Sequence, residues 1–318
     1  MSELRYNTAT RDWVIVAPER SKRPQGPRVD CPFCPGAEEH TPDESLRFCD
    51  PAGNWLVRSF PNGFPVMTPQ EGELWTHGDF PELCRPSAGR HEVVAESPRH
   101  DDSLARMQPA HLELVLRAWR DRSKALLEVP GIDHIIVFKN HGEKAGSSLS
   151  HPHSQIVGLP VMPVQVQVRL EEAVRSYSIW GRCLYCQMID SERAAGQRIV
   201  AEVGRFTAFV PFAAFSPYSL WIFPRQHAGC FSLLSDDELP ELAALLGKVL
   251  GSLDRLLGDP AYNLVVRSIS CHTAGSRYFH YYLAVVPRLG RVAGFELGTG
   301  MFINPHLPEE DARQLREA

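Results

Sequence analysis

Four of the chain's eight cysteines fall in two C-x-x-C pairs, Cys31-Pro32-Phe33-Cys34 and Cys183-Leu184-Tyr185-Cys186. Such a pair is either a redox dithiol or half of a tetrahedral metal site. A redox pair opens a helix, and Pro32 and Pro35 argue against a helix at the first pair. Two thiolates do not close a zinc site, so each pair needs further ligands from elsewhere in the chain. Histidines meet that need in matched places. His100 ends Ser97-Pro98-Arg99-His100, and His151 opens His151-Pro152-His153-Ser154-Gln155. His227 ends Phe223-Pro224-Arg225-Gln226-His227, and His280 opens His280-Tyr281-Tyr282-Leu283-Ala284. Any one of these would read as an ordinary core or surface histidine. Two sets in the same chain order read instead as two structural zinc sites, Cys31, Cys34, His100 and His151, then Cys183, Cys186, His227 and His280. Cys49, Cys84, Cys230 and Cys271 show no pairing and read as buried small hydrophobes.

The two sets differ in one respect that bears on catalysis. Aligned on the histidine, His153 stands where the second half has Tyr282, and Gln155 stands where it has Ala284. A scaffold repeat gives no reason for one copy to carry an extra imidazole and amide, whereas a duplicated enzyme needs only one active copy. On a strand, alternate residues share a face, which sets His151, His153 and Gln155 in line. A neutral imidazole is a competent nucleophile at pH 7. Just upstream, residues 140–148 form a polar, Gly-containing loop whose backbone N–H groups, with the Ser147 and Ser148 hydroxyls, suit a phosphate. His153 is thus the candidate nucleophile on phosphorus, with Gln155 and Ser148 stabilising the charge that builds on the phosphoryl oxygens. The competing reading is that His153 is a second structural histidine beside the metal.

The elements around these residues repeat as well. Ala145-Gly146 and His151 recur 129 positions later as Ala274-Gly275 and His280. Each unit has a β-branched run before the loop, at 134–138 and 262–266, and an apolar run ending at proline after it, at 155–160 and 283–287. A helix precedes each. Pro109 leads into Leu112, Val115, Leu116 and Trp119 at helical spacing. Ser235 and Glu238 form a candidate capping box before Leu239, Leu242, Leu246, Val249 and Leu253. The organisation expected is α+β, with residues 1–168 carrying the nucleophile and 169–318 a repeat half without it.

Composition excludes several classes of function. With 33 basic against 38 acidic residues, the net charge of −5 gives no footprint for nucleic acid, so any phosphate is met locally. No apolar run approaches the about 18 residues of a membrane span. Residues 1–6 lack the apolar core of a secretory signal, which predicts a cytoplasmic protein.

His151-Pro152-His153-Ser154-Gln155, preceded by Phe138-Lys139-Asn140-His141-Gly142 and Ala145-Gly146-Ser147-Ser148, resembles galactose-1-phosphate uridylyltransferase of the histidine-triad superfamily. The resemblance spans almost the whole chain. Residues 11–24, Cys31-Pro32-Phe33-Cys34, and Asn62-Gly63-Phe64-Pro65 match the family's opening. Gly294-Phe295-Glu296-Leu297-Gly298-Thr299-Gly300 and Ile303-Asn304-Pro305 are similar to its shorter members. It implies a duplicated histidine-triad-like fold with a mixed or antiparallel sheet flanked by helices, a homodimer, and ping-pong transfer of a nucleoside monophosphate through a nucleotidyl-histidine on His153. By the same resemblance, Gln155 and Ser148 contact phosphate, Asn62 and Asn140 the nucleotide sugar, and Arg20 and Arg23 the diphosphate. Arg20 and Arg23 would act in the same chain or from the partner, and Glu296 lies in the hexose-contacting segment. On residue chemistry alone Arg20, Lys22 and Arg23 are a solvated basic turn. Gly63 departs from the pattern, since better-known members often carry Asp there.

The function expected is exchange of a uridylyl group between UDP-glucose and galactose 1-phosphate, with a nucleotide sugar and a sugar 1-phosphate as the small-molecule partners. The alternative keeps His153 and transfers AMP from ADP-glucose to phosphate. A zinc-stapled nucleotide sensor without turnover would leave the asymmetry of His153 and Gln155 unexplained.

Overall fold

The computed structural model describes residues 2–22, 31–69, 75–77 and 82–318. Arg23 lies outside them. A ten-stranded sheet runs through the molecule, assembled from β3 (Leu46–Cys49), β4 (Trp55–Pro61), β7 (Arg90–Ala95), β8 (His134–His141), β9 (His153–Leu159), β10 (Ile199–Val203), β11 (Phe206–Phe209), β12 (Leu220–Pro224), β13 (Tyr262–Arg267) and β14 (Tyr282–Pro287). Its order is β10-β11-β12-β14-β13-β8-β9-β7-β4-β3. The neighbouring strands pair antiparallel throughout.

That order is a palindrome. Each half contributes three strands, a helix, then two strands, and the halves join where β8 meets β13. Phe138 pairs with Gln155 on its outer side and with Val265 across the join, and Val265 pairs with Ala284. Gln155 pairs on with Val93 and then Phe60, while Ala284 pairs on with Trp221 and then Phe209. A pseudo-twofold axis therefore passes between Phe138 and Val265 and superimposes Gln155 on Ala284 by strand register. The expected boundary at 168/169 falls inside α2 (Val164–Trp180), the helix that links the halves.

The two long amphipathic helices fall where their spacing predicts. α1 (Pro109–Leu127) buries Leu112, Val115, Leu116 and Trp119, and α4 (Leu239–Leu257) buries Leu239, Leu242, Leu246, Val249 and Leu253. Both lie on one face of the sheet in a single apolar core. The capping box before α4 forms only in part. The Ser235 N–H and hydroxyl both donate to the Glu238 carboxylate, and Glu238 itself occupies the cap position.

The opposite face is covered unequally. Over the second half, α2 and α3 (Leu184–Ala195) bury a cluster that includes Phe209, Phe223, Tyr282 and Ala284. Over the first half, a small sheet of β1 (Glu3–Tyr6), β2 (Trp13–Val16), β5 (Trp75–His77) and β6 (Glu82–Pro86), in the order β2-β1-β6-β5, covers part of the face among the described residues. α5 (Gly294–Thr299) and α6 (Pro308–Glu317) end the chain.

The four remaining cysteines correct one expectation. Cys84 and Cys230 are buried, but Cys271 is half-buried and Cys49 is exposed. Cys49 closes the edge strand β3, which has a sheet neighbour on one side only.

Candidate active site and metal centres

The two cysteine pairs meet their histidines. Cys31, Cys34, His100 and His151 bring one ligand atom each to within 4.8 Å of one another, and so do Cys183, Cys186, His227 and His280. In the first group Cys34 Sγ lies 3.4 Å from His100 Nδ1 and 3.6 Å from His151 Nδ1. In the second, Cys186 Sγ lies 3.5 Å from His227 Nδ1 and 3.6 Å from His280 Nδ1. Zinc holds thiolate sulfur at about 2.3 Å and imidazole nitrogen at about 2.0–2.1 Å, so a tetrahedral ion separates S from N by about 3.6 Å. Both groups fit that spacing, so either can hold a metal.

The electrostatics of the donors agree. Burial, and then Cys31, pushes the Cys34 thiol up to about 11. In the second pair, hydrogen bonding from Cys186 holds the Cys183 thiol far below its ordinary value, while Cys186 is pushed up by its bond to Cys183. Two such thiols do not both ionise unless a cation sits between them. Burial lowers His151 to about 4, leaving it a neutral ligand. The orienting contacts differ between the groups. His151 Nε2–H donates to the Ser97 carbonyl at 2.8 Å and His100 Nε2 meets Ser150 Oγ at 2.8 Å, whereas buried His280 Nε2 has no hydrogen-bond partner among the described residues. The first site is therefore the more tightly oriented of the two.

The local frames of the two pairs differ as well. The first occupies a turn, closed by Cys34 N–H to the Cys31 carbonyl. The second opens a helix, with Cys183 at the N-cap of α3 and Cys186 in its first turn.

Two residues beyond His151, β9 begins at His153. His153 and Gln155 line an open cavity with Phe33, His40, Thr41, Phe60, Asn62, Val93 and Ser148. His153 is 6% exposed. Its Nδ1–H donates to the His151 carbonyl at 2.8 Å, which fixes the tautomer with the lone pair on Nε2. The ring packs against Phe33 at 5.5 Å between centroids, and Phe33 sits inside the first C-x-x-C turn. Below the strand, buried Lys139 donates to Glu96 at 2.5 Å and to the His153 carbonyl at 3.2 Å. Trp119 of α1 donates to Ser154 Oγ at 2.6 Å. Metal group, charge pair and helix all converge on the first two residues of β9.

Gln155 is held by a residue the sequence reading did not single out. The Val66 N–H donates to His91 Nδ1 at 3.0 Å, so the His91 proton is on Nε2. Nε2 lies 2.9 Å from Gln155 Oε1 and donates to it, which turns the Gln155 NH2 group into the cavity. Asn62, beside the same ring, accepts from the Phe64 N–H through Oδ1 at 2.8 Å.

Other expected site residues are distributed as follows. Asn140 belongs to β8 rather than to the loop, which begins at Gly142 (φ 79°) and turns through Gly146 (φ 87°), where a side chain would be strained. Ser147 Oγ donates to the Leu149 carbonyl within the loop, while its neighbour Ser148 lines the cavity. Arg20 sits in a 3-10 turn, Pro18–Lys22, after β2. Glu296 is at the start of α5, where its carboxylate accepts from the Ala293 N–H at 3.0 Å; it lines a different cleft with Phe215, Arg288 and Phe302.

At the site that the pseudo-twofold axis relates to this cavity, aromatic rings fill the space. Tyr282 stacks on Phe223 at 4.7 Å and packs on Trp221 at 5.0 Å, Phe223 stacks on Phe209 at 5.7 Å, and Tyr185 of α3 closes the cluster against Phe223 at 6.0 Å. One half thus has a cavity and the other a plug.

Residues 1–163 match the family model described as galactose-1-phosphate uridyl transferase, N-terminal domain. The chain is 35% identical to an ADP-glucose phosphorylase of Arabidopsis thaliana over 99% of its own length and 92% of that protein's. It is 32% identical to a galactose-1-phosphate uridylyltransferase of Thermotoga maritima over 100% and 98%. Among solved structures, the Arabidopsis thaliana ADP-glucose phosphorylase with bound ADP-glucose superimposes with a TM-score of 0.80 at 33% identity, covering 100% of this chain and 99% of that one. A uridylyltransferase mutant superimposes with a TM-score of 0.85 at 30% identity, covering 99% and 97%. With a family model over half its length, relatives over all of it, and the histidine cavity in the matched half, the chain belongs to the galactose-1-phosphate uridylyltransferase family of nucleotidyltransferases.

Proposed function

We propose that the protein moves a nucleoside monophosphate from a nucleotide sugar to an anionic acceptor through His153, with UDP-glucose as donor and galactose 1-phosphate as acceptor. The observation that carries this reading is the fixed tautomer of His153, in a cavity it shares with Gln155, Ser148 and Asn62. His153 Nε2 attacks the α-phosphorus. The N–P bond forms as the bond from phosphorus to the bridging oxygen breaks, and glucose 1-phosphate leaves with the electron pair. In the second half-reaction a phosphate oxygen of galactose 1-phosphate attacks the same phosphorus and the N–P bond breaks, with no net proton transfer. Gln155 NH2 and Ser148 meet the phosphoryl oxygens as charge builds on them. Asn62 and Asn140 hold the nucleotide sugar, with Ser147 stiffening the loop behind Ser148.

Zinc occupies both Cys2His2 sites in this reading and takes no part in the chemistry. Arg20 and Arg23 reach the diphosphate, and Glu296 reaches the hexose from the second subunit of a homodimer. Two features support that assignment: Glu296 lies in a cleft apart from the His153 cavity, and Phe295, Leu297, Met301 and Ile303 around it are exposed.

A second reading, adenylyl transfer from ADP-glucose to phosphate, is favoured by the 35% identity to the Arabidopsis thaliana phosphorylase and by Gly63, which places no carboxylate beside Asn62. Incubating the protein separately with each nucleotide sugar and weighing it intact decides between them. A uridylyl increment from UDP-glucose supports the first reading, an adenylyl increment from ADP-glucose the second, and no increment from either overturns both.

His91 supplies a further check on how Gln155 works. His91→Leu removes the donor that turns the Gln155 amide into the cavity, and the first half-reaction should slow by about ten- to a hundredfold. Single-turnover labelling measures it, and an unchanged rate would show that Gln155 needs no such support.

A further inference from the structure

We infer that Asn263, in the half without the nucleophile, is a positioning residue for the active half; this rests on the proposed transfer at His153. The argument starts from a backbone carbonyl, whose role in a hydrogen bond is not ambiguous. Asn263 Nδ2 lies 2.9 Å from the Ala145 carbonyl and 2.8 Å from Asn140 Oδ1. The carbonyl only accepts, so the nitrogen is the donor and both of its hydrogens are used. Asn140 then accepts through Oδ1, and its own NH2 is turned away from Asn263. That NH2 lies 3.9 Å from where a Cβ on Gly146 would stand, at the turn leading to Ser147 and Ser148. One side chain thereby sets the donor face of Asn140 and anchors the loop that carries Ser148.

The pseudo-symmetry makes the placement informative. Asn263 pairs directly with Asn140 across the β8–β13 join. With the axis between Phe138 and Val265, the counterpart of Asn263 in the first half is Ile136, which has no amide to offer. The second half has lost the nucleophile and filled its own cavity, yet it carries here a polar, half-buried side chain without a symmetry mate, directed at the other half's cavity loop. An amide kept for local packing would bond within its own half. Both of these bonds leave it.

The test is a double-mutant cycle in the full-length protein, read by the rate of nucleotidyl labelling and by thermal unfolding. Asn263→Asp keeps the size and replaces the donor by a carboxylate facing two acceptors. Labelling kcat/KM should fall about ten- to a hundredfold, more through KM than through kcat. Asn263→Ala should have a similar effect in the wild-type background and a clearly smaller one in an Asn140→Ala background, where only the bond to the Ala145 carbonyl is left to lose. A merely structural role would instead lower the unfolding midpoint equally in both backgrounds and leave the two rate losses additive. Wild-type kinetics in Asn263→Asp, or additive losses, overturn the inference alone. A wild-type chain that takes no label from any nucleotide sugar overturns the proposed transfer, and this inference with it.

Discussion

A His153→Ala chain should take up no nucleotidyl label from UDP-glucose or ADP-glucose, and its exchange rate should fall by at least about 10⁴-fold. The size follows from what is removed. Orientation and phosphate binding survive the substitution, but the atom that forms the covalent bond does not; among the described residues the other imidazole lining the cavity is His40, at the end of the 3-10 turn Glu38–His40. Gln155→Ala is the matched comparison. It keeps the nucleophile and loses one donor to the developing charge, so it should still label, slowed by about 10²–10³-fold. Both variants should retain the wild-type metal content and unfolding midpoint, because neither side chain is among the eight candidate ligands. Label that persists in His153→Ala at the wild-type rate would remove His153 from the reaction whatever the fold.

The candidate site was legible in the sequence where chemistry and repetition coincide. Two C-x-x-C pairs each short of two ligands, with histidines in matched order, define the two metal groups. A tyrosine in the place of a histidine and an alanine in the place of a glutamine mark the half without the proposed nucleophile. Neither inference needs any knowledge of which strands pair. The residues that support the site were not legible, because their roles exist only in the register. Asn263 is a single polar residue in the apolar run 262–266, and His91 stands in the polar triplet Arg90-His91-Glu92; both read locally as solvent-facing. Only the pairing of β8 with β13 sets Asn263 opposite Asn140, and only the pairing of β7 with β9 brings His91 within reach of Gln155. Lys139 was part of a motif, yet its buried partner Glu96 lies 43 positions away, and nothing local pairs them. The helices were readable for the opposite reason, since a spacing of three and four is decided within the helix itself.

Removing one thiolate from each metal site should separate the two sites by function, although their ligands are the same. Cys34→Ser and Cys186→Ser are each expected to lower the metal content from two equivalents per chain to one, since three remaining donors no longer close a tetrahedral site. Both should lose several kcal/mol of stability, a fraction of the roughly 10–16 kcal/mol with which structural zinc is bound in small peptides. Their effects on catalysis should diverge. The first site clamps His151, whose carbonyl fixes the His153 tautomer, and it holds the turn that sets Phe33 against the His153 ring. Freed of that clamp, β9 loses the geometry of its first residues, and labelling should fall by about a hundredfold or more even at temperatures where the chain remains folded. The second site clamps His280 beside Tyr282, in the half where aromatic rings occupy the related cavity. The proposed transfer runs in the other half, so Cys186→Ser at the same folded fraction should label at close to the wild-type rate. Metal analysis, thermal unfolding and single-turnover labelling on the two variants provide the comparison. If Cys186→Ser proves the more damaging to labelling while folded, the metal sites do not divide between clamping the nucleophile and clamping the scaffold, and the support of His153 must come from the Lys139–Glu96 pair and Trp119 instead.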